Sequence, residues 1–102
     1  MRRSVQWSRA ALDDLKAQIA YIAADNPAAA RRVADRIRVS AAALGDMTTG
    51  RIGRVSGTYE KLVSGLPYVI AYAITNRAGR EYVSILRVIH AARDWPGKGW
   101  PR

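Results

Sequence analysis

The residues with the clearest chemical potential lie in the stretch Glu81–Trp95. Its first nine residues are rich in β-branched, aromatic and aliphatic side chains and lack Gly and Pro, which predicts a central strand of a sheet. Arg87 falls inside this apolar run, and His90 ends it. A guanidinium there is costly unless it is paired or faces a site, and histidine ionises near neutral pH, where it can act as a general acid or base. Arg87 and His90 are therefore the first candidate functional residues.

Both residues also have a structural interpretation. Arg87 can pair across the sheet with Glu60 or Glu81, and such a pair would stabilise the fold only modestly if it were exposed. His90 can hydrogen-bond to the backbone or to Asp94 at the end of its strand. The residues alone leave both alternatives open.

Further candidates lie outside the strand. Arg51 and Arg54 belong to a glycine-rich loop that suits phosphate but lacks P-loop spacing, so a solvated basic loop is the simpler interpretation. Trp95 and Trp100 occur in a tail rich in Pro and Gly, where an exposed tryptophan can anchor a target protein. Packing back onto the sheet is the favoured interpretation for Trp95 and not for Trp100. The full set predicted to bind a partner comprises Arg51, Arg54, Lys61, Arg87, His90, Arg93, Trp95 and Trp100.

Composition excludes several classes of site. A chain of 102 residues has the size of one domain, predicted to span 1–102 with a tail from about residue 96. There is no cysteine, and the single histidine has no acidic cluster near it, so we expect no disulfide, no metal centre and no cofactor. No apolar run approaches the length of a membrane span, about 18 residues, and no signal peptide is apparent. A cytoplasmic protein without membrane contact is expected.

The charge is strongly positive and carried mostly by arginine. There are 17 Lys and Arg against 8 Asp and Glu, a formal net charge of +9. Such a field attracts polyanions, meaning nucleic acid, an acidic protein segment or a protein machine bound to nucleic acid. The basic residues of the predicted strands are not interleaved with aromatic ones as in single-strand binding platforms, which argues against a stand-alone nucleic-acid-binding domain.

Two helices are predicted in the first half of the chain. Ser8 is a good N-cap for a helix over about 9–24, and Asn26 with Pro27 caps and starts a second helix that ends at about Leu44. Apolar residues recur at the three- and four-residue spacing of one helical face: Leu12, Leu15, Ile19 and Ile22, then Ala30, Val33, Ala34, Ile37, Ala41 and Leu44.

The remaining segments predict strands. A short strand over 4–7 precedes the helices, and strands over 58–64, 68–75 and from 81 onward follow them, separated by turn signals. The fold class is therefore α+β, a two-helix antiparallel hairpin packed on one face of a mainly antiparallel sheet in the order β-α-α-β-β-β.

Side chains along a strand alternate between its two faces, which predicts the residues on each face of the last strand. Val83, Ile85, Arg87 and Ile89 fall on one side. If Arg87 stays out of the core, this face is open and the three aliphatic residues form an apolar floor around it. An apolar floor with a basic rim suits an acidic, amphipathic segment that folds as it binds.

Five short segments follow one another along nearly the whole chain. They are Ser8-Arg9-Ala10-Ala11-Leu12-Asp13-Asp14-Leu15, Tyr21-Ile22-Ala23 with Asn26-Pro27-Ala28-Ala29-Ala30, Gly50-Arg51-Ile52-Gly53-Arg54, Gly65-Leu66-Pro67-Tyr68-Val69-Ile70-Ala71-Tyr72, and Ile85 to Trp95. Together they resemble toxins of the RelE/ParE superfamily on its ParE side. The resemblance implies the toxin of a bacterial type II toxin–antitoxin pair, of the plasmid stabilisation kind. It also implies a cognate acidic antitoxin that neutralises the toxin, and contact with operator DNA only through that antitoxin.

The same resemblance offers two activities. RelE-like members are ribosome-dependent mRNA endonucleases, whereas ParE-like members are associated with poisoning of DNA gyrase. RelE-like nucleases typically carry a basic residue directly after the first tyrosine of the strand at Tyr68, and this chain has Val69, which cannot stabilise a phosphorane-like transition state. Gyrase inhibition by binding, without catalysis, is therefore expected. In the alternative nuclease, Arg87, His90 and Arg54 would be the catalytic candidates.

Overall fold

The computed structural model describes residues 2–92, which form two helices and a five-stranded sheet. Arg93, Trp95 and Trp100 lie outside the described residues. Neither helix in the described part is long and apolar enough to cross a bilayer. The elements in chain order are β1 (Ser4–Trp7), α1 (Arg9–Ala23), α2 (Pro27–Ala43), β2 (Arg51–Ile52), β3 (Tyr59–Leu62), β4 (Tyr68–Arg77) and β5 (Arg80–His90).

Both helices begin where their caps predict. The Ser8 hydroxyl accepts a hydrogen bond from the Ala11 backbone N–H at 3.0 Å, and the Asn26 side chain accepts one from Ala29 at 3.0 Å. Each cap satisfies an N–H that the first helical turn leaves without a partner. Pro27 occupies the first turn of α2, where its missing N–H costs nothing.

The sheet has the strand order β1-β5-β4-β3-β2. β1 pairs with β5 in parallel, and the other three pairings are antiparallel. The helices cover one face, as predicted, and the α+β fold class is confirmed. The two-residue strand β2 was not predicted, because it lies in a connection dominated by glycine and turn signals.

The main core lies between the helices and the sheet. Its fully or nearly fully buried side chains come from both layers: Leu15, Ile37 and Leu44 from the helical side, and Ile70, Tyr72, Val83, Ile85 and Val88 from the strands. This side of the sheet is called the helix side below, and the opposite side the outer face.

A β-bulge changes which residues of β5 share a face. Tyr72 pairs with Ile85, but the preceding residue, Ala71, pairs with Arg87, so Leu86 is an extra residue in β5. Val83 and Ile85 therefore lie on the helix side. The predicted apolar floor around Arg87 is wrong for these two residues, because strict alternation fails at a bulge.

The remaining members of that face are Arg87 and Ile89, and the part of the outer face around them is not open. Val69, Ala71 and Ile89 are buried there, and among the described residues Val55 and Leu86 pack against Ala71 and Ile89. Toward the β4–β5 turn the outer face becomes polar and accessible, with Ser4, Gln6, Thr75, Tyr82 and Ser84 on neighbouring strands.

Candidate functional site

One row of residues crosses the outer face from β2 to β5. Arg51 pairs with Glu60, Glu60 with Ala71, and Ala71 with Arg87. Paired residues of neighbouring strands share a face and lie close together, with strands about 4.8 Å apart. The register therefore places two of the predicted cations, Arg51 and Arg87, at opposite ends of one row, with a carboxylate and a methyl group between them.

Glu60 is the buried carboxylate of this row. Its side chain is 1% exposed, and it accepts hydrogen bonds from the Arg51 guanidinium at 3.0 Å and from the Arg54 backbone N–H at 2.9 Å. A buried carboxylate is tolerated only when donors surround it. Glu60 therefore joins β2 and the start of the following loop to β3, and it holds the Arg51 side chain near the Arg54 backbone.

Arg87 is paired, although not with the residues predicted. Asp14 of α1 accepts from its Nε at 2.7 Å and its Nη2 at 2.9 Å, and also from the Val88 backbone N–H at 2.9 Å. The predicted partners Glu60 and Glu81 bind Arg51 and Arg3 instead. The hydrogen bond to Asp14 raises the pKa of Arg87 above its ordinary value, although partial burial lowers it. The guanidinium is thus permanently charged and held by two hydrogen bonds to Asp14, and the carboxylate is itself held in place by the third hydrogen bond, from Val88.

The position of Asp14 on the inward face of α1 can be read from the spacing of residues along the helix. Asp14 follows buried Ala11 by three residues and precedes buried Gln18 by four, so it lies on the inward face of α1. An acidic residue on that stripe needs a partner in the sheet. Sequence reasoning did not single out Asp14 as a partner of Arg87, and it missed the role of Glu60 as the partner of Arg51.

His90 and Lys61 lie apart from this row. His90 pairs with Tyr68 and Lys61 with Ile70, which places both on the helix side. The His90 ring meets the Tyr68 ring edge-to-face at 5.4 Å, and its Nδ1 accepts the Ala92 backbone N–H at 3.3 Å. The backbone interpretation of His90 is confirmed, and the structure does not bring His90 together with Arg87 on one face.

Tyr72 links the core to the loop before β2. Its hydroxyl donates to the Thr49 carbonyl at 2.6 Å, and its ring stacks on Tyr59 at 5.5 Å. Burial, and secondarily Tyr59, raises the pKa of Tyr72 above its usual value of about 10. The neutral phenol is therefore the form that the fold favours.

This pKa predicts a loss of stability at high pH. Above about pH 10 unfolded tyrosine loses its proton while folded Tyr72 keeps it, so the free energy of unfolding should fall as pH rises through the raised pKa. Tyr72→Phe should flatten that dependence and cost about 1 kcal/mol at neutral pH. Urea denaturation across this range measures both effects, with Tyr21→Phe at an exposed position as the control. Parallel curves for the Tyr72 variant and the parent would contradict the prediction.

Apolar side chains are exposed at the β2–β3 end of the sheet. Ile52 is 82% exposed, Leu62 59% and Tyr59 37%. These side chains, called the β2–β3 edge patch below, follow the edge of the sheet and not one face, because Tyr59 pairs with Tyr72 on the helix side and Leu62 with Val69 on the outer face. Arg51, whose side chain is 67% exposed, precedes Ile52 in β2, which pairs with only two residues of β3. An exposed edge that combines apolar and cationic groups is a candidate surface for an acidic, amphipathic partner.

A solved structure described as the chromosomal ParDE TA system from P. aeruginosa has the same fold, with a TM-score of 0.77, 21% identity, and coverage of 85% of this chain and 94% of that one. A sequence model of the family described as the ParE toxin of the type II toxin-antitoxin system, parDE, matches residues 5–95. The chain belongs to the ParE toxin family.

Two relatives agree with this membership. Y4kP of Sinorhizobium fredii, whose name designates it a toxin, is 38% identical over 96 residues, which cover 93% of this chain and 95% of that protein. Toxin RelE2 of Caulobacter vibrioides is 38% identical over 90 residues, 87% of this chain and 96% of that protein. The chain is thus the toxin of a ParDE type II toxin–antitoxin system, and its family implies an antitoxin partner.

Proposed function

We propose that this toxin inhibits DNA gyrase by binding it and does not cleave RNA. The observation that carries the proposal is the pairing of Arg87 with Asp14, at 2.7 and 2.9 Å. A cation that stabilises a phosphorane-like transition state must have donors aimed at the phosphate. Arg87 directs two of its donors to a carboxylate of its own chain.

The other requirements for RNA cleavage are also separated in space. Attack by a ribose hydroxyl needs a proton acceptor beside the cations. By register His90 lies on the helix side, with its Nδ1 occupied by a backbone N–H, and Arg51 lies on the outer face. The Arg87 guanidinium is bound to Asp14 of α1. Val69 occupies the position at which nucleases of the superfamily typically carry a basic residue, and its side chain is buried, with 3% of its surface exposed. These features favour action by binding a target protein over catalysis of RNA cleavage.

The test is a pair of assays with one preparation of the toxin. Stoichiometric toxin should block supercoiling by purified gyrase and increase the fraction of cleaved DNA, while messenger RNA on translating ribosomes stays intact. Cleavage within codons, with gyrase unaffected, would overturn the proposal in favour of the RelE-type ribosome-dependent endonuclease.

The antitoxin that neutralises this toxin is proposed to cover the β2–β3 edge patch. Exposed apolar side chains at an unpaired strand edge offer anchors for a segment that folds on binding. Arg51 and Lys61 directly precede Ile52 and Leu62 in their strands and would pair with carboxylates of the antitoxin. A net charge of +9 on the toxin favours an acidic partner and speeds their association.

Ile52→Glu tests this placement. Burying a carboxylate against an acidic partner should weaken antitoxin binding about 10- to 100-fold, equivalent to about 1.4–2.8 kcal/mol. Titration calorimetry with the cognate antitoxin measures the change. The matched control is Val39→Glu on α2, a residue 69% exposed and remote in sequence from the patch. Equal losses for the two variants would point to a general charge effect and count against the patch.

A further inference from the structure

The β4–β5 hairpin carries two arginines directly opposite each other. Arg77 pairs with Arg80 across a two-residue turn in which Ala78 and Gly79 both have positive φ, the conformation of a tight hairpin turn. Like charges in such a pair repel. Alanine also adopts positive φ at a cost. A strained turn that holds two facing cations destabilises the sheet and calls for a functional reason.

These arginines line a cleft with the N-terminal end of β1. The cleft has a volume of about 1320 Å³, and its charged members are Arg2, Arg3, Arg77 and Arg80 against Asp46 and Glu81. Arg2 pairs with Asp46 at 2.6 Å, and Arg3 with Glu81 at 2.9 Å. Both carboxylates are thereby used, and within residues 2–92 Arg77 and Arg80 have no acidic partner.

Tyr82 orients one of the two arginines. The Arg77 guanidinium lies over the Tyr82 ring, 5.9 Å from its centroid, which is within the range of a cation–π contact. A cation–π contact does not occupy the N–H donors, so the Arg77 guanidinium can still form a bidentate contact with an anionic oxygen pair. Arg80, on the facing strand, supplies the N–H donors of a second guanidinium.

The rest of the lining distinguishes between possible polyanions. Around the arginines the cleft has polar groups, among them Ser4, Gln6 and Asn76, with Tyr82 as the aromatic residue and no aliphatic side chain among its described residues. An acidic peptide that folds on binding depends on apolar anchors. A nucleic-acid backbone is recognised by arginines, hydroxyls and amides, with stacking on aromatic rings.

We propose that this hairpin cleft is a binding site for a nucleic-acid strand, held through its phosphates by Arg77 and Arg80. The cleft exceeds the usual volume of a small-molecule pocket, about 300–1,000 Å³, and so has room for more than one nucleotide unit. The site is separate from the β2–β3 edge patch, because β2 and β3 lie at the opposite end of the strand order from β1. The structure thus assigns a direct nucleic-acid contact to the toxin itself.

Fluorescence anisotropy with labelled oligonucleotides of about 16 nucleotides tests the site. Single-stranded DNA, duplex DNA and RNA form three arms at about 0.15 M salt. If two to four phosphates are contacted, the logarithm of the affinity should fall with the logarithm of salt concentration with a slope of about −1.4 to −2.8 for a single strand. Arg77→Ala with Arg80→Ala should weaken binding at least tenfold and reduce that slope by about 1.4.

The matched control is the double variant Arg31→Ala with Arg32→Ala. Both residues are exposed on α2 and lie outside the cleft, and the two substitutions remove the same positive charge as the hairpin variant does. This control should change affinity less than about threefold, because separated charges are screened at this salt concentration. Equal losses in the two double variants would overturn the proposal. Competition with polyglutamate is a second test. If polyglutamate displaces the oligonucleotide at an equal concentration of negative charges, the proposal is overturned and the cleft is assigned to an acidic peptide.

Thermal unfolding accompanies each titration. The hairpin variant should melt at the same or a higher temperature, because it removes two facing like charges. If it melts lower, Gln6→Glu on β1 places a carboxylate in the cleft without changing the hairpin, and failure of that variant to weaken binding would overturn the proposal. The assay contains neither gyrase nor antitoxin, so its outcome is independent of the function proposed above.

Discussion

Asp14→Ala should lower the free energy of unfolding by about 3 kcal/mol, the low end of the range for breaking a buried ion pair. The change removes the acceptor for the Arg87 Nε, the Arg87 Nη2 and the Val88 N–H. Arg87 keeps its charge and is only 26% exposed, so it is left with little water to replace the carboxylate. Urea denaturation of the two proteins measures the difference.

Asp13→Ala is the matched control for this change. Asp13 neighbours Asp14 on α1 and carries the same charge near the same helix end, but it is exposed. Its removal should cost no more than about 0.5 kcal/mol. A double-mutant cycle of Asp14→Ala with Arg87→Ala should return a coupling of about 2 kcal/mol. Equal costs at Asp13 and Asp14, or no coupling, would show that the pair does not stabilise the fold.

Gly50→Ala should cost about 3 kcal/mol or more and release β2 from the sheet. Gly50 has a φ of 117°, which alanine adopts only with strain, and an added Cβ would overlap the Glu60 carbonyl oxygen on β3. The backbone must move to relieve this contact. Because Arg51 follows directly, we expect the Arg51–Glu60 ion pair to separate as well.

Gly57→Ala separates the two causes of the expected loss at Gly50, the steric clash of the added Cβ and the strain of alanine at positive φ. Gly57 also has positive φ, 82°, but an added Cβ there would meet nothing within 4 Å. It should therefore cost only about 1–2 kcal/mol. Hydrogen exchange of the β3 amides, together with urea denaturation, reports both the local and the global effect. A Gly50 variant as stable as the Gly57 variant would contradict the close packing of this loop on β3.

The helices were predictable because their determinants are local. Ser8 and Asn26 lie three residues from the N–H groups that they cap, and the apolar stripes repeat within each helix. Apart from β2, the strands were predictable as segments along the chain, because each has the composition of a strand and is bounded by turn signals. The register of the sheet was not, because the extra residue Leu86 is defined only by the pairing of β5 with β4.

The candidate cations were also predictable, and their partners were not. Arg51, Arg54 and Arg87 stand out by residue type and by the segments that hold them. Asp14 meets Arg87 only because α1 crosses the end of β5, a contact between residues 73 positions apart. No local pattern specifies such a distance, although the inward position of Asp14 on its helix indicated that a partner exists.

The parallel pairing of β1 with β5 has a consequence for synthesis of the toxin. β1 precedes β5 by more than 70 residues along the chain, yet within the described fold β5 is its only neighbour in the sheet. Until β5 has been made, β1 and Asp14 lack their partners and β4 has only β3 beside it. The loop that must close between β1 and β5 includes both helices and three strands, so the sheet cannot assemble by adding strands in chain order.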